Sequence, residues 1–302
     1  MPERMMQEFA SLKDALTAAF GSGAEIAAMT PVSGGDINRA YRLTLRDGTL
    51  LFMKSNAAAS PAFFRAEAEG LAAISDTNTI RVPQILAFGT DSQRGAFLLL
   101  EWIETAAQTP KYWETFGRRL AEMHRADTSA LVPDGKYGLN HDNYIGAHRQ
   151  KNTAMDSWIS FFRDCRLEPQ FRDAMHWFDD TARKQIAYLL DHLDVYLEEP
   201  EHPSLLHGDL WSGNFITGSD GNAWLIDPAA YVGHAEADLA MTELFGGFSQ
   251  RFYDAYREVH PFHPGYRHRR ELYNLYHLLN HLNLFGGSYL PSVNRVLRDF
   301  GG

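Results

Sequence analysis

A single cysteine, Cys165, in 302 residues removes any intrachain disulfide and any cysteine-rich zinc site from consideration. Long apolar runs are missing too. Stretches such as Ala96-Phe97-Leu98-Leu99-Leu100 fall far short of the roughly 20 residues a membrane-spanning helix needs. The opening residues Met1-Pro2-Glu3-Arg4 are not a basic segment followed by an apolar run, so the expectation is a cytoplasmic protein without a membrane partner. Cations are in deficit. With 28 Lys and Arg against 38 Asp and Glu, the formal net charge is −10. Nucleic acid and anionic membrane surfaces, which call for clustered Lys and Arg, are therefore not expected partners. A neutral or cationic substrate suits this balance better. No repeat or low-complexity tract interrupts the chain. What is present is an ordinary globular composition, 45% hydrophobic and 22% charged, sufficient for one large domain or two packed lobes.

The most informative stretch is Leu205-Leu206-His207-Gly208-Asp209-Leu210-Trp211-Ser212-Gly213-Asn214, followed by Leu225-Ile226-Asp227-Pro228. Asp209 and Asn214 stand in the order H-x-D-x-x-x-x-N, in which the Asp accepts a hydroxyl proton and the Asn amide oxygen ligates Mg²⁺. Asp227 is the expected second metal ligand. Apolar Phe215-Ile216, a turn-rich Gly218-Ser219-Asp220-Gly221-Asn222 and apolar Ala223-Trp224-Leu225-Ile226 form a β-hairpin pattern, which would fold Asp227 back beside Asn214. Taken alone, each half fits an ordinary turn. Both halves in this order and spacing point to the catalytic centre of a kinase-like phosphotransferase.

Helical spacing over 5–20 ends at Gly21-Ser22-Gly23. Strands are expected over 29–32, 40–45 and 49–54, with Ser33-Gly34-Gly35-Asp36 between the first two and an Asp47-Gly48 turn before the third. A helix opens at Pro61 and runs to about 74, and two further strands cover 82–88 and 96–100. Beyond Pro110 the pattern turns helical, over 111–125, 155–166, 171–198, 238–245, 249–259 and 266–285. The expected organisation is a small, mostly antiparallel N-lobe (1–103) and a larger, mainly helical C-lobe (104–302).

Gly34 and Gly35 lack side chains, so their backbone N–H groups can approach phosphates closely. Lys54 lies in the apolar strand Leu51-Phe52-Met53-Lys54, where an unpaired ammonium is costly. It either reaches solvent from an edge or contacts the nucleotide α/β-phosphates while held by a carboxylate of the following helix. Glu67 and Glu69 both qualify; they point to different helix faces, and Glu67 is the preferred partner. At the end of the fifth strand, the Glu101 carbonyl and Ile103 amide are placed to meet the edge of adenine.

His207 to Asn214, Asp227-Pro228-Ala229 with Tyr231, Gly233-His234-Ala235-Glu236-Ala237-Asp238-Leu239-Ala240-Met241 and Glu243-Leu244-Phe245-Gly246-Gly247-Phe248 resemble the fructosamine/ketosamine 3-kinase family. That family lies within the wider aminoglycoside-phosphotransferase and protein-kinase-like fold. The resemblance runs from the Gly34-Gly35 loop to Phe285-Gly286-Gly287, and Trp211 with the 236–248 run is its most specific part. It implies an α+β, bilobal protein-kinase-like fold and ATP- and Mg²⁺-dependent phosphorylation of the O3 hydroxyl of a ketoamine, free or on a protein amine. The 3-phosphate is unstable, so the amine is freed. Some members carry a cysteine in the glycine loop; here Asp36 stands there, so a thiol switch is not implied. Oligomeric state is expected to be monomer or weak dimer.

Within this reading Asp209 orients the sugar hydroxyl and takes its proton late, and Asn214 and Asp227 hold the metal. His207 supports the loop, Asp238 braces it through backbone amides, and Trp211 lines the sugar-amine pocket. Tyr273, His277 and Asn280 share one helix face, as either a core network or part of the substrate pocket. His277 and His281 lack the glutamate of a zinc-protease motif, so zinc is not expected. Competing readings are a kinase of the same fold acting on an aminoglycoside, choline or a sugar, and a nucleotide-binding pseudo-kinase regulator.

Overall fold

Residues 7–32 and 37–302 are described in the computed structural model of the chain; the expected phosphate loop of Gly34 and Gly35, with Asp36, lies outside them. The chain divides into two units. The first contains the chain up to Tyr112 together with residues 214–228, and the second contains 113–213 and 229–302.

The first unit is organised by a six-stranded sheet of β1 (Glu8–Phe9), β2 (Ile26–Val32), β3 (Arg39–Leu45), β4 (Leu50–Asn56), β5 (Ile85–Asp91) and β6 (Gly95–Glu101), in the order β1-β5-β6-β4-β3-β2. All pairings are antiparallel except β1 with β5. Two helices accompany it, α1 (Leu12–Phe20) and α2 (Pro61–Asp76). Leu12, Ala15 and Leu16 of α1 pack against Leu43, Leu51, Met53, Phe97 and Leu99, the alternate positions of their strands, as a sheet with one face on a core requires. The hairpin of residues 215–217 and 223–225 belongs to this unit as well. Leu225 donates its N–H to the Arg81 carbonyl (2.9 Å), and Thr109 donates to the Gly221 carbonyl (3.0 Å).

Two expectations shift here. The first helix starts at Leu12 rather than near residue 5, because the Ser11 hydroxyl accepts from Asp14 N–H (3.0 Å) and caps it. Glu8–Phe9 pair instead with Phe88 and Gly89, where a Cβ on Gly89 would lie 2.0 Å from the Phe9 carbonyl oxygen. The strand expected over 82–88 runs from Ile85 to Asp91. Pro83 has no N–H to give a ladder, and Arg81 bridges to Trp224 of the hairpin.

The second unit is mainly helical. Its core gathers Trp158, Phe161, Phe162, Phe171, Leu189, Leu206, Tyr231, Leu275, Leu279 and Val296, among others. The helix expected over 171–198 is broken into Glu168–Ala174, Asp180–Asp191 and Leu193–Tyr196. The break is local: Phe178 is extended, and Asp179 caps a new helix by accepting from Ala182 N–H (2.8 Å). The helix expected from residue 155 begins at Trp158, capped by Ser157, and its amides at Trp158 and Ile159 donate to Glu199 (2.8 and 3.2 Å). Helix Leu290–Phe300, which buries Val293, Val296, Leu297 and Phe300, was not anticipated. Neither were two short antiparallel ladders, Asn143–Ile145 with His148–Gln150 and Ser204–Leu206 with Tyr231–Gly233.

Candidate active site

In the first unit the decisive group is Lys54. It is buried on β4, and an ammonium there needs anionic partners to offset its lost hydration. Its Nζ donates to Glu67 Oε1 of α2 (2.7 Å) and to Asp227 Oδ1 of the segment after the hairpin. Burial by itself would lower the Lys54 pKa, but Asp227 and then Glu67 outweigh it, so the ammonium is held more firmly protonated than an ordinary lysine. For Glu67 burial wins and its carboxyl is pushed up. Two carboxylates converge on one cation, which leaves an excess of negative charge where Asp227 is still 39% exposed.

The hairpin positions that carboxylate. Phe215 pairs with Leu225, Ile216 with Trp224 and Thr217 with Ala223, and Ile226 N–H donates to the Asn214 carbonyl (3.0 Å). Asn214 and Asp227 thus flank the open end of one ladder. Asp220 sets the turn by accepting from Asn222 N–H and Trp224 Nε1 (both 3.1 Å). Asp227 itself has φ +56°, a left-handed conformation sparsely occupied outside glycine, though aspartate tolerates it better than most residues. Glu101 ends β6, and its carboxylate accepts from Gln84 N–H (2.8 Å), while the segment after it is tied to the hairpin through Ala106 N–H and the Thr217 carbonyl (3.3 Å). Ile103 follows β6 on that segment.

In the second unit the loop carrying Asp209 is built around a buried carboxylate. Asp238, in helix Ala235–Leu244, accepts from the backbone N–H of His207 (2.7 Å) and Gly208 (2.8 Å) and lies 3.1 Å from His124 Nε2. Burial would raise its pKa, but His124 first, then His207 and the Gly208 amide, hold it below the ordinary carboxylate value. His124 Nδ1 in turn meets the Tyr256 hydroxyl at 2.7 Å. His207 also accepts at Nδ1 from Asp209 N–H (3.3 Å), and its carbonyl accepts from Ala229 N–H (2.9 Å). The returning strand is clamped by Asn143, which donates to the Ala230 carbonyl (2.8 Å), and by Gln150, which donates to that of Ala229 (3.0 Å). His124, Tyr256 and Gln150 have no spacing relation to the loop motif in sequence. Only the apolar periodicity of their helices and the short 143–150 ladder would have hinted at them.

Trp211 is 39% exposed and meets Phe245, itself 43% exposed, edge-on at 6.3 Å between ring centroids. Gly213 makes room for it: a Cβ there would lie 2.3 Å from the indole. His277 is different in kind. It is 4% exposed, and burial first, with His281 next, pushes its pKa down to about 3, so it is neutral. The structure thus gathers Lys54, Glu67 and Asp227 around one ammonium, sets Asn214 beside Asp227 on the hairpin, and ties Asp209, His207 and Asp238 into one loop. His277 lies in the core of the second unit.

Gly208 gives a direct test of the loop geometry. Its φ is +82°, and a Cβ would stand 2.1 Å from the Ala229 carbonyl oxygen. The left-handed penalty alone is about 1–2 kcal/mol, and the clash adds to it. Gly208→Ala is expected to lower the melting temperature and nearly abolish turnover; a variant that melts and turns over like wild type would contradict this backbone path.

The model of the fructosamine kinase family matches residues 7–300. A probable ketoamine kinase of Synechocystis sp. is 42% identical over 274 residues, covering 89% of this chain and 88% of that protein. The chloroplastic protein-ribulosamine 3-kinase of Oryza sativa subsp. indica is 39% identical over 282 residues, covering 93% and 80%. Among solved structures, one from Haemophilus somnus 129PT, provisionally assigned as a fructosamine-3-kinase, superposes with a TM-score of 0.85 at 30% identity and 96% coverage of both chains. Solved aminoglycoside phosphotransferases share the fold, with a TM-score of 0.63 at 18% identity and coverage of 95% of this chain and 99% of that one.

Proposed function

We propose, since the chain belongs to the fructosamine kinase family, that this phosphotransferase uses ATP and Mg²⁺ to phosphorylate the O3 hydroxyl of ketoamines of the fructosyl- or ribulosyl-amine type. The observation that carries the reading is the Lys54–Glu67–Asp227 cluster. An ammonium held between two carboxylates is poised to contact nucleotide phosphates, and the surplus negative charge beside Asn214 suits a divalent cation. The oxygen donors of Asn214 and Asp227 are of the hard type that Mg²⁺ prefers. Bound there, the ion would offset charge on the β/γ-phosphates. Lys54 would hold the α/β-phosphates, with Glu67 keeping it in position. The residues Gly34 and Gly35 would cover the phosphates, and the Glu101 carbonyl and Ile103 amide would meet adenine.

Asp209 would align the O3 hydroxyl for in-line transfer and take its proton as the bond to phosphorus forms. His207 and Asp238 act through the loop backbone, and Trp211 would stack on the sugar or its cationic secondary amine. His277 would shape the pocket from within the core. The 3-phosphate eliminates readily, because enolisation across C1–C2 expels phosphate from C3, and the amine is then released. A cytoplasmic location and a monomeric or weakly dimeric state complete the proposal; no helix among the described residues is long and apolar enough to cross a membrane.

Two measurements test this. Turnover on a panel of fructosyl-lysine, ribulosyl-lysine, an aminoglycoside and choline should be confined to the ketoamines, with Trp211→Ala raising KM for the ketoamine several-fold, as a lost cation–π contact of about 0.5–2 kcal/mol implies, and leaving KM for ATP nearly unchanged. Efficient phosphorylation of choline or the aminoglycoside and of no ketoamine would refute the substrate class. Asp227→Asn should weaken nucleotide binding more in the presence of Mg²⁺ than in its absence; equal losses would remove Asp227 from the metal site.

A further inference from the structure

Away from the loop motif, the second unit contains a cavity of about 340 Å³ lined by Arg125, Glu201, His202, His234, His260 and His263, among others. That volume lies at the low end of the range for small-molecule sites, about 300–1,000 Å³. The His202 and His260 rings face one another at 5.2 Å between centroids, and His202 Nε2 and His260 Nδ1 are buried atoms without a hydrogen-bond partner among the described residues. Two polar ring atoms beside the cavity are thus left unsatisfied by the described residues, an uncommon state for buried nitrogens. Arg125 spends one N–H group on the Val259 carbonyl (2.7 Å), leaving further donors in its fork.

The chemistry of the lining selects the ligand. Imidazoles also suit transition metals, but no group of three His, Cys, Asp or Glu among the described residues is arranged to hold one. Glu201 is the only carboxylate on the wall, opposed by the Arg125 guanidinium and four rings able to donate N–H. Burial pushes the His260 pKa down to about 3, aided by His124, His202, Arg125 and His263. His202 is lowered by burial and then by Arg125, with Glu201 opposing and His124 and His263 adding to the effect. Both shifts disfavour the imidazolium forms, and an anion bound beside the rings would supply the countercharge that lets them take up protons.

One wall residue of the cavity, His260, contacts the brace of the Asp209 loop. His260 stacks on Tyr256 (5.6 Å, 26°), whose hydroxyl meets His124, which meets Asp238. We infer that this cavity binds a tetrahedral oxyanion of the phosphate class, free or as the terminal group of a small ester, and that its occupancy is felt at the Tyr256–His124–Asp238 brace.

The test is calorimetric titration of the full chain with inorganic phosphate, glucose 6-phosphate and sulfate, with a saturating non-hydrolysable ATP analogue present. Saturable binding is expected, and tightest binding by phosphate or by the ester tells the free ion from the esterified group. Arg125→Gln and His202→Gln, both outside the tightly packed core, should each weaken binding about tenfold or more, the scale of a lost charge-assisted hydrogen bond. Sulfate, which stays fully ionised, should bind more tightly at about pH 6 than at about pH 8, because protonated imidazoles are favoured at the lower value. The His124 ring resonances should shift on saturation. No saturable binding by any of the three anions, binding that the nucleotide analogue abolishes, or affinities unchanged in both variants would overturn the site; pH-independent sulfate binding would remove the imidazoles, and unmoved His124 signals the link to the brace. Because the readout is binding rather than turnover, the outcome is independent of which substrate the kinase uses.

Discussion

Asp209→Ala is expected to lower kcat by about 10²–10⁴, the range for a lost, positioned acid–base group, while leaving the melting temperature and ATP affinity close to wild type. The expectation follows from where the loop invests its contacts. Its architecture rests on backbone groups of His207 and Gly208 and on Asp238, with the Asp209 N–H donating to His207 Nδ1, a bond that alanine keeps. The backbone support of the loop therefore survives removal of the carboxylate. Because phosphoryl transfer depends on positioning more than on strong base, KM for the ketoamine should change less than kcat. A folded Asp209→Ala enzyme with near-wild-type turnover would take Asp209 out of the mechanism.

Asp238→Ala should do the opposite, damaging stability and activity together. The side chain is almost fully buried and is the acceptor for two backbone amides. Leaving each buried donor unsatisfied costs about 1–3 kcal/mol, so a loss of roughly 2–6 kcal/mol is expected from the two amides alone, before the effect on His124. The sign of the pH dependence follows from its depressed pKa. A carboxyl held below its unfolded value contributes stability that is present above that value and fades as pH falls through the folded one. Wild type should thus lose part of its margin over Asp238→Ala on acidification below about pH 4. Thermal melts of both proteins from neutral to acid pH measure this; parallel curves with a constant small gap would mean that Asp238 is not the brace.

The parts of this protein that were legible in its sequence are those where local chemistry and final structure coincide. The Asp47-Gly48 turn, the hairpin between Asn214 and Asp227 and the helix opened by Pro61 depend on residues within a few positions of one another, and the backbone follows them. Lys54 was legible for a different reason: a lysine in an apolar strand demands a carboxylate, and Glu67 and Glu69, two positions apart, point to different helix faces; the structure gives the place to the preferred Glu67. Illegible were the features made by distant partners. Nothing near His124 announces Tyr256, 132 positions away, and nothing near Asn143 announces the Ala230 carbonyl. Helix boundaries failed where a cap outweighed periodicity, at Ser11, Ser157 and Asp179. Apolar residues on both sides of Phe178 carry a helical rhythm straight through the break, because periodicity records which face is buried and not where the chain turns.

The central claim, transfer of the ATP γ-phosphate to O3 of a ketoamine, is tested most directly by following the purified protein with ATP, Mg²⁺ and ¹³C-labelled ribulosyl- or fructosyl-lysine by ³¹P and ¹³C NMR. A new phosphomonoester signal coupled to the C3 carbon is expected, which then decays as inorganic phosphate and free lysine appear together. A stable phosphoester on any other carbon, or consumption of ATP with no sugar-bound phosphate, would contradict it.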